Sequence, residues 1–298
     1  MRTAFIQELI RQARSHPRLF LVVGDLGYSV VEPFAKEFPD RFLNAGVAEQ
    51  NMTSLAAGLA SEGWHVFTYS IANFPTLRCL EQIRNDVCYP KLPVTVVAVG
   101  AGLAYGNLGF SHHGIHDLAA LRPLPHLAML SPADPGETAE SVRWLAENPG
   151  PSYLRLGKAG EKQLHTLSGV DAGPILVRRG SPNAKTALAA TGSVLAVALT
   201  AAERLSQKGL NLPVFSCPRL KPTTFDALWQ FPRVITLEEH VLAGGFGSLL
   251  RELAPDGVTF RSLAVPESLT SVVGSQEYLR QHAGLTADEV IRIVETAR

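Results

Sequence analysis

Glu49 has the surroundings in this chain that best suit proton chemistry. It lies in Phe42-Leu-Asn-Ala-Gly-Val-Ala-Glu-Gln-Asn-Met52, a turn bordered by glycine and alanine, and a helical run from Thr53 to Ala60 follows. A lone carboxyl beside an apolar helix is partly desolvated, which raises its proton affinity, so it could share a proton with the nitrogen of a heterocycle. The plainer alternative is an acid favoured at the positive end of a helix dipole. His112, His113 and His116 form a second polar cluster behind the glycine-rich segment Gly100–Gly109. Adjacent histidines point apart on extended chain and no acid completes a ligand set, so no metal site is expected there. The glycine-rich segment itself lacks the acidic residue and the following helix of a dinucleotide loop, and reads instead as backbone that can approach a ligand closely. Glu81 and Arg84, three apart on a predicted helix, can pair on its face or lie at a subunit interface.

The elements that must position these groups alternate between strand and helix. Leu19–Val23 is a short apolar run ending at Gly24-Asp25, Trp64–Tyr69 reads as a second strand, and Pro93–Val99 is the clearest strand of all. Helices are predicted over 50–62, 76–89 and 134–147, with a strand at Ser152–Leu156. Strands separated by helices imply a mostly parallel sheet. Residues 157–185 lose periodicity and gain Gly, Lys, Pro and Ser, which reads as a linker carrying at most a hairpin. A second α/β pattern follows: strand 186–190, helix 194–208, strand 212–215, helix 223–230, strand 233–237, a helix after Gly244-Gly245, and a tail helix over 286–297 with Thr286 as its cap. The expected boundaries are 1–160 for a first domain, 161–185 for a linker and 186–298 for a second.

Totals agree with two globular α/β domains. The 298 residues are 46% hydrophobic and 18% charged, enough to bury a large core. The 27 basic and 27 acidic residues cancel, which gives no electrostatic case for nucleic acid or an anionic membrane. No apolar run is long enough to span a bilayer. Three cysteines, Cys79, Cys88 and Cys217, without metal-ligand spacing fit a reducing cytoplasm.

Several motifs share one order along the chain: Gly46-Val-Ala-Glu-Gln-Asn51, Glu81-Gln-Ile-Arg-Asn-Asp-Val87, Gly109-Phe-Ser-His-His-Gly114, Asp117–Arg122, Ser131-Pro-Ala-Asp134, Leu237-Glu-Glu-His240 and Gly244-Gly-Phe-Gly247. This order resembles the second half of transketolase and 1-deoxyxylulose-phosphate synthase. The resemblance implies an α/β fold of two domains, a thiamine-diphosphate pyrimidine-binding fold followed by a transketolase C-terminal-like domain, each with a mostly parallel sheet. It implies that Glu49 bonds the pyrimidine ring nitrogen and so favours the tautomer that deprotonates the thiazolium carbon. Phe74 would stack on the ring and Ile71, where many members carry an aromatic, would line it. His112 would act beside the reacting carbons as a proton-sharing group, with His113 at the substrate, and Arg155 would grip a sugar phosphate through its planar fork. Glu238, Glu239 and His240 would be structural, at the domain junction.

The family grips the diphosphate and a divalent metal through a Gly-Asp-Gly motif with an Asn further on, and this sequence does not match it: Gly24-Asp25 is followed by Leu26, and no acid-to-Asn spacing completes it. The resemblance therefore implies the smaller subunit of a split transketolase. A larger subunit would hold the diphosphate and Mg²⁺ (or Ca²⁺ or Mn²⁺), and two chains of each kind would form a heterotetramer around a core dimer of this one. Gly100 and Leu108 replace a histidine and an aspartate of transketolases, which points to sugar substrates with fewer hydroxyls or without phosphate. His116 replaces a residue that is more often acidic. Three alternatives stay open: the β subunit of a 2-oxo acid dehydrogenase, a 1-deoxyxylulose-phosphate-type condensing enzyme, and a non-catalytic regulatory subunit.

Overall fold

A computed structural model describes every residue except Ser168, Ala172, Ala297 and Arg298. Among the described residues, twelve strands run along the chain: β1 (Leu19–Val23), β2 (Phe42–Asn44), β3 (His65–Ile71), β4 (Val94–Val99), β5 (Ala128–Leu130), β6 (Ser152–Leu156), β7 (Ile175–Arg178), β8 (Thr186–Ala190), β9 (Val214–Ser216), β10 (Arg219–Lys221), β11 (Arg233–Val241) and β12 (Thr259–Val265). They form two sheets, ordered β10-β5-β6-β4-β3-β1-β2 and β12-β11-β8-β9-β7. Pairings between these strands are parallel except β10 with β5 and β7 with β9.

The apolar runs of β1 and β4, the latter broken only by Thr95, suit helices covering both faces of the first sheet, which buries every residue of each strand. On one face, Phe5 and Leu9 of helix Arg2–Ser15 and Leu145 of helix Pro135–Glu147 pack with Leu21 and Leu154. On the other, Met52, Ala56 and Ala60 of helix Glu49–Ser61 pack with Val22 and Val66. The second sheet is covered by helices Leu195–Gln207 and Ala287–Glu295 on one side and by Phe246–Leu253 on the other. The cluster around Met52 runs on through Ala189, Val234 and Phe246, so the two sheets share apolar core. Strand β10 binds them further, because it leaves the second half of the chain to pair with β5 through Arg219 opposite Leu130.

Local chemistry sets the helix starts. Asp134 Oδ1 accepts the Glu137 N–H at 2.9 Å, and Thr286 Oγ1 accepts the Glu289 N–H at 3.2 Å, as the Thr286 cap predicts. Other elements differ from their sequence reading. The helix predicted over 76–89 is a 3₁₀ turn (Leu77–Cys79), one α-turn (Leu80–Gln82) and a π-helix (Ile83–Cys88). The helix predicted over 223–230 is only Asp226–Trp229. In the stretch read as linker, β7 pairs with the distant β9 rather than forming a hairpin. The parallel strands of the first sheet end together at Gly24, Ile71, Gly100 and Gly157, the edge where open α/β sheets hold ligands.

Candidate active site

Glu49 opens the helix Glu49–Ser61 at this edge, and its side chain is 2% exposed. Gly46, with φ of +74°, turns the chain from β2 into the helix. Gly24 lies beside the carboxylate; a Cβ there would meet Ser70 Oγ at 3.4 Å and Glu49 Cγ at 3.6 Å. Among the described residues, Ser70 Oγ is itself buried without a hydrogen-bond partner. The Glu49 carboxylate accepts a bond from a side chain: Arg78 Nη1 donates to Oε2 at 2.8 Å. Arg78 is half exposed, and its guanidinium lies 4.8 Å above the centroid of the Phe74 ring. Phe74 also meets His112 edge-on, with centroids 5.3 Å apart. Glu49, Arg78, Phe74 and His112 thus form one continuous row.

Two loops carry this row. After β3, the Phe74 N–H donates to the Ile71 carbonyl at 2.8 Å, closing the turn that projects Phe74, with Ile71 half-buried at the strand end. Asn73 Nδ2 donates to the carbonyls of Ser111 and His113, both at 3.0 Å, and so ties the Phe74 loop to the histidine loop. The two histidines point apart, as adjacent residues on such a loop must. His112 is half-buried, with Nδ1 at 3.0 Å from Ser111 Oγ. His113 turns inward, fully buried, with both ring nitrogens unpartnered among the described residues, and burial pushes its pKa below the ordinary histidine value. Apolar side chains stand exposed at the ligand edge and in the flanking loops, among them Tyr28, Val47, Leu77, Leu108 and Phe110.

Arg155 lies elsewhere. The expected grip on a sugar phosphate needs an open guanidinium, and the structure seals this one at 2% exposure. Its Nε donates to Asp117 Oδ2 at 2.6 Å, and its Nη2 donates to the carbonyls of Gly114 at 2.6 Å and Glu239 at 2.9 Å. The reason is that β6 is covered on both faces, so alternation along the strand offers no exposed side. Tyr153 adds its hydroxyl to Asp117 at 2.5 Å. Burial would raise the Asp117 carboxyl, but Arg155 and His240 hold it below the usual carboxylate range. Burial pushes His240 down to about 4 against the pull of Asp117, and its Nε2 accepts the Ala119 N–H at 3.3 Å. Glu239 accepts the Leu103 N–H at 3.2 Å and pairs with Arg280 and Gln276 of the second half. Gly102 must be glycine here, because φ is +62° and a Cβ would overlap Glu239. This network therefore pins the histidine loop to the junction from below, through Gly114.

Sequence reasoning passed over Arg78, Asn73 and Asp117 as site residues. Arg78 lies on the 3₁₀ turn Leu77–Cys79 and Phe74 on the turn before it, so helical spacing gave no signal that the two would meet. Asn73 and Asp117 gave no signal either.

Among the described residues no group of three or more His, Cys, Asp or Glu converges. An aminopyrimidine does fit. The buried carboxylate and the aromatic face hold a planar N–H-bearing group, the Arg78 guanidinium, so they match the donor edge and flat face that such a ring presents. Among the described residues no helix is long and apolar enough to cross a membrane.

Comparison with known proteins adds to this geometry. The profile of the transketolase pyrimidine binding domain matches residues 1–160, and that of the transketolase C-terminal domain matches residues 176–290. The chain is 31% identical to an apulose-4-phosphate transketolase subunit of Actinobacillus succinogenes, over 96% of this chain and 94% of that protein. It is 32% identical to the 1-deoxy-D-xylulose-5-phosphate synthase of Desulforudis audaxviator, over 99% of this chain but 48% of that protein. A solved split gene transketolase, described as an inactive beta4 tetramer, superposes with a TM-score of 0.88 at 33% identity, covering 99% of this chain and 97% of that one.

Proposed function

The chain belongs to the transketolase family, and from that premise we propose that it is the smaller subunit of a two-component, thiamine-diphosphate-dependent transketolase. In this reading it moves a two-carbon ketol unit from a ketose or ketose phosphate to an aldehyde. Its first domain, 1–160, would present the pyrimidine site, residues 161–185 would link and lend β7 to the second sheet, and 186–298 would form the rest of the C-terminal domain. The observation that carries the reading is the buried Glu49 carboxylate joined to the Phe74 ring through Arg78, set in exposed apolar surface that a second chain would cover.

Thiamine diphosphate, when bound, supplies an acidic thiazolium carbon and an electron sink. This chain's residues would do the rest of the work on its side of the site. Glu49 would hold a proton at the pyrimidine ring nitrogen, where exclusion of water strengthens the bond. Phe74 would fix the ring plane, with Ile71 at its margin. His112, at the mouth, would share a proton with the substrate oxygen nearest the reacting carbons, and His113 would offer an unpartnered nitrogen deeper in the same loop. Arg155 is assigned a positioning role: through the Gly114 carbonyl it holds the loop that carries both histidines.

A larger partner subunit would hold the diphosphate and Mg²⁺ and complete a heterotetramer around a core dimer of this chain. The related transketolase subunit of similar length and the inactive tetramer of the solved neighbour support that arrangement. Three buried free thiols support a cytoplasmic site of action. A condensing reaction of the 1-deoxyxylulose-phosphate type is the second reading, favoured by the match to that synthase over 99% of this chain. The test is to mix this chain with a larger transketolase section, thiamine diphosphate and Mg²⁺. Ketose consumption should appear only in the mixture. Carbon dioxide release from a 2-oxo acid would favour the second reading, and full turnover by this chain alone would end the first.

A further inference from the structure

We infer that Arg78 is an internal placeholder for the aminopyrimidine, occupying the ring site of the unliganded chain and yielding it when the cofactor arrives. The inference rests on the reading of Glu49 and Phe74 given above and extends it to a residue with no assigned role. Two groups in this site can recognise a flat heterocycle with N–H donors: the Glu49 carboxylate and the Phe74 face. Arg78 engages both at once, with Nη1 at 2.8 Å from Glu49 Oε2 and its guanidinium carbon 4.8 Å from the Phe74 centroid. A guanidinium is planar, carries N–H donors at its edge and stacks on aromatic rings, so it presents the same surface as a protonated aminopyrimidine.

The energetics explain why such a placeholder is needed and why it can leave. Glu49 is 2% exposed, and a buried carboxylate without a counter-charge is costly. The other titratable nitrogen groups near the row belong to His112 and His113, and neither is placed on Glu49: the former lies against Ser111 Oγ and the latter is turned inward. Arg78 therefore supplies the counter-charge. It is itself 49% exposed, so its release into water costs little desolvation, and an exposed partner contributes only modestly to an ion pair. The closed pair lowers the apparent affinity for the ring in proportion to the fraction of chains in which the pair is open. A free subunit would thus hold cofactor weakly until a partner chain adds contacts enough to displace the arginine.

The test uses the full chain without its partner and the free aminopyrimidine half of thiamine as probe, with binding followed by titration calorimetry. Arg78→Met removes the charge and keeps the length. Arg78→Gln is the second variant, and a thermal melt checks that each is folded. Both should bind the probe about tenfold more tightly than the wild-type chain, as expected where the site is open about a tenth of the time. Adding Glu49→Gln to either variant should abolish that gain. Affinity equal to or below wild type in both variants, or undetectable binding in both, overturns the placeholder. Failure of the underlying reading shows separately, as unchanged ketose consumption by the assembled enzyme carrying Glu49→Gln alone.

Discussion

Two acid–arginine pairs in this chain look alike in sequence and differ in kind. At the domain junction, Asp117 and Arg155 are both sealed, and Tyr153, Gly114 and Glu239 satisfy their remaining bonds. At the ligand edge, Glu49 is sealed but Arg78 is half exposed and stacks on the Phe74 ring. The closed pair fixes a loop and a domain contact. The open pair holds a charge in readiness and can be replaced. A buried ion pair is therefore read for function by the exposure of its weaker-held member and by what else each partner bonds, rather than by its distance.

The largest effect that could break this comparison is at the junction. Asp117→Ala leaves Arg155 buried and unpaired, which should cost about 3–5 kcal/mol in urea unfolding. A loss under about 1 kcal/mol, the scale of a surface pair, would show that the junction is no more closed than the surface.

The next effect concerns Glu238, whose carboxylate accepts the N–H groups of Phe246 at 2.5 Å and Gly247 at 2.8 Å. Burial pushes its pKa up to about 7 in spite of those bonds, from an ordinary 4.5. The folded chain therefore keeps a proton that the unfolded chain has lost. The contribution is full below the unfolded value and is lost as pH rises through about 7. Stability of the wild type relative to Glu238→Gln should fall by about 3 kcal/mol between those limits. A flat difference across that window would show that the junction side of the molecule tolerates a buried charge without penalty.

The smallest effect calibrates the other two. Arg204 and Asp288 pair at 2.6 Å with both side chains largely exposed. Asp288→Asn should change stability by about 0.2–1 kcal/mol and less in high salt, as seen in thermal melts.

Much of this was legible in the sequence. The apolar run of β1 and the nearly continuous one of β4 were readable because strands covered on both faces are rich in hydrophobic residues. Glu49 stood out through the motif order around Gly46–Asn51, since an acid ahead of an apolar helix alone suits the positive end of a helix dipole equally well. Arg155 was misplaced because a strand-end arginine looks the same whether it faces a ligand or a domain junction; β11, far along the chain, supplies the Glu239 carbonyl that closes it. Arg78 was passed over because its partner Glu49 is 29 residues away and only the packing of two loops joins them. Strand β10 is three residues long and pairs with another half of the chain, so no local pattern announces it. The π-helix at Ile83–Cys88 keeps the composition of an α-helix, and the extra residue per turn leaves no compositional mark.

The most direct test of the account is Glu49→Gln in the assembled two-chain enzyme, with ketose consumption and thermal unfolding followed on the same preparation. The account predicts a loss of activity of about 10²–10⁴-fold, the range expected when a positioned proton-transfer group is removed, with melting close to that of the wild type. Wild-type activity in the variant would contradict it.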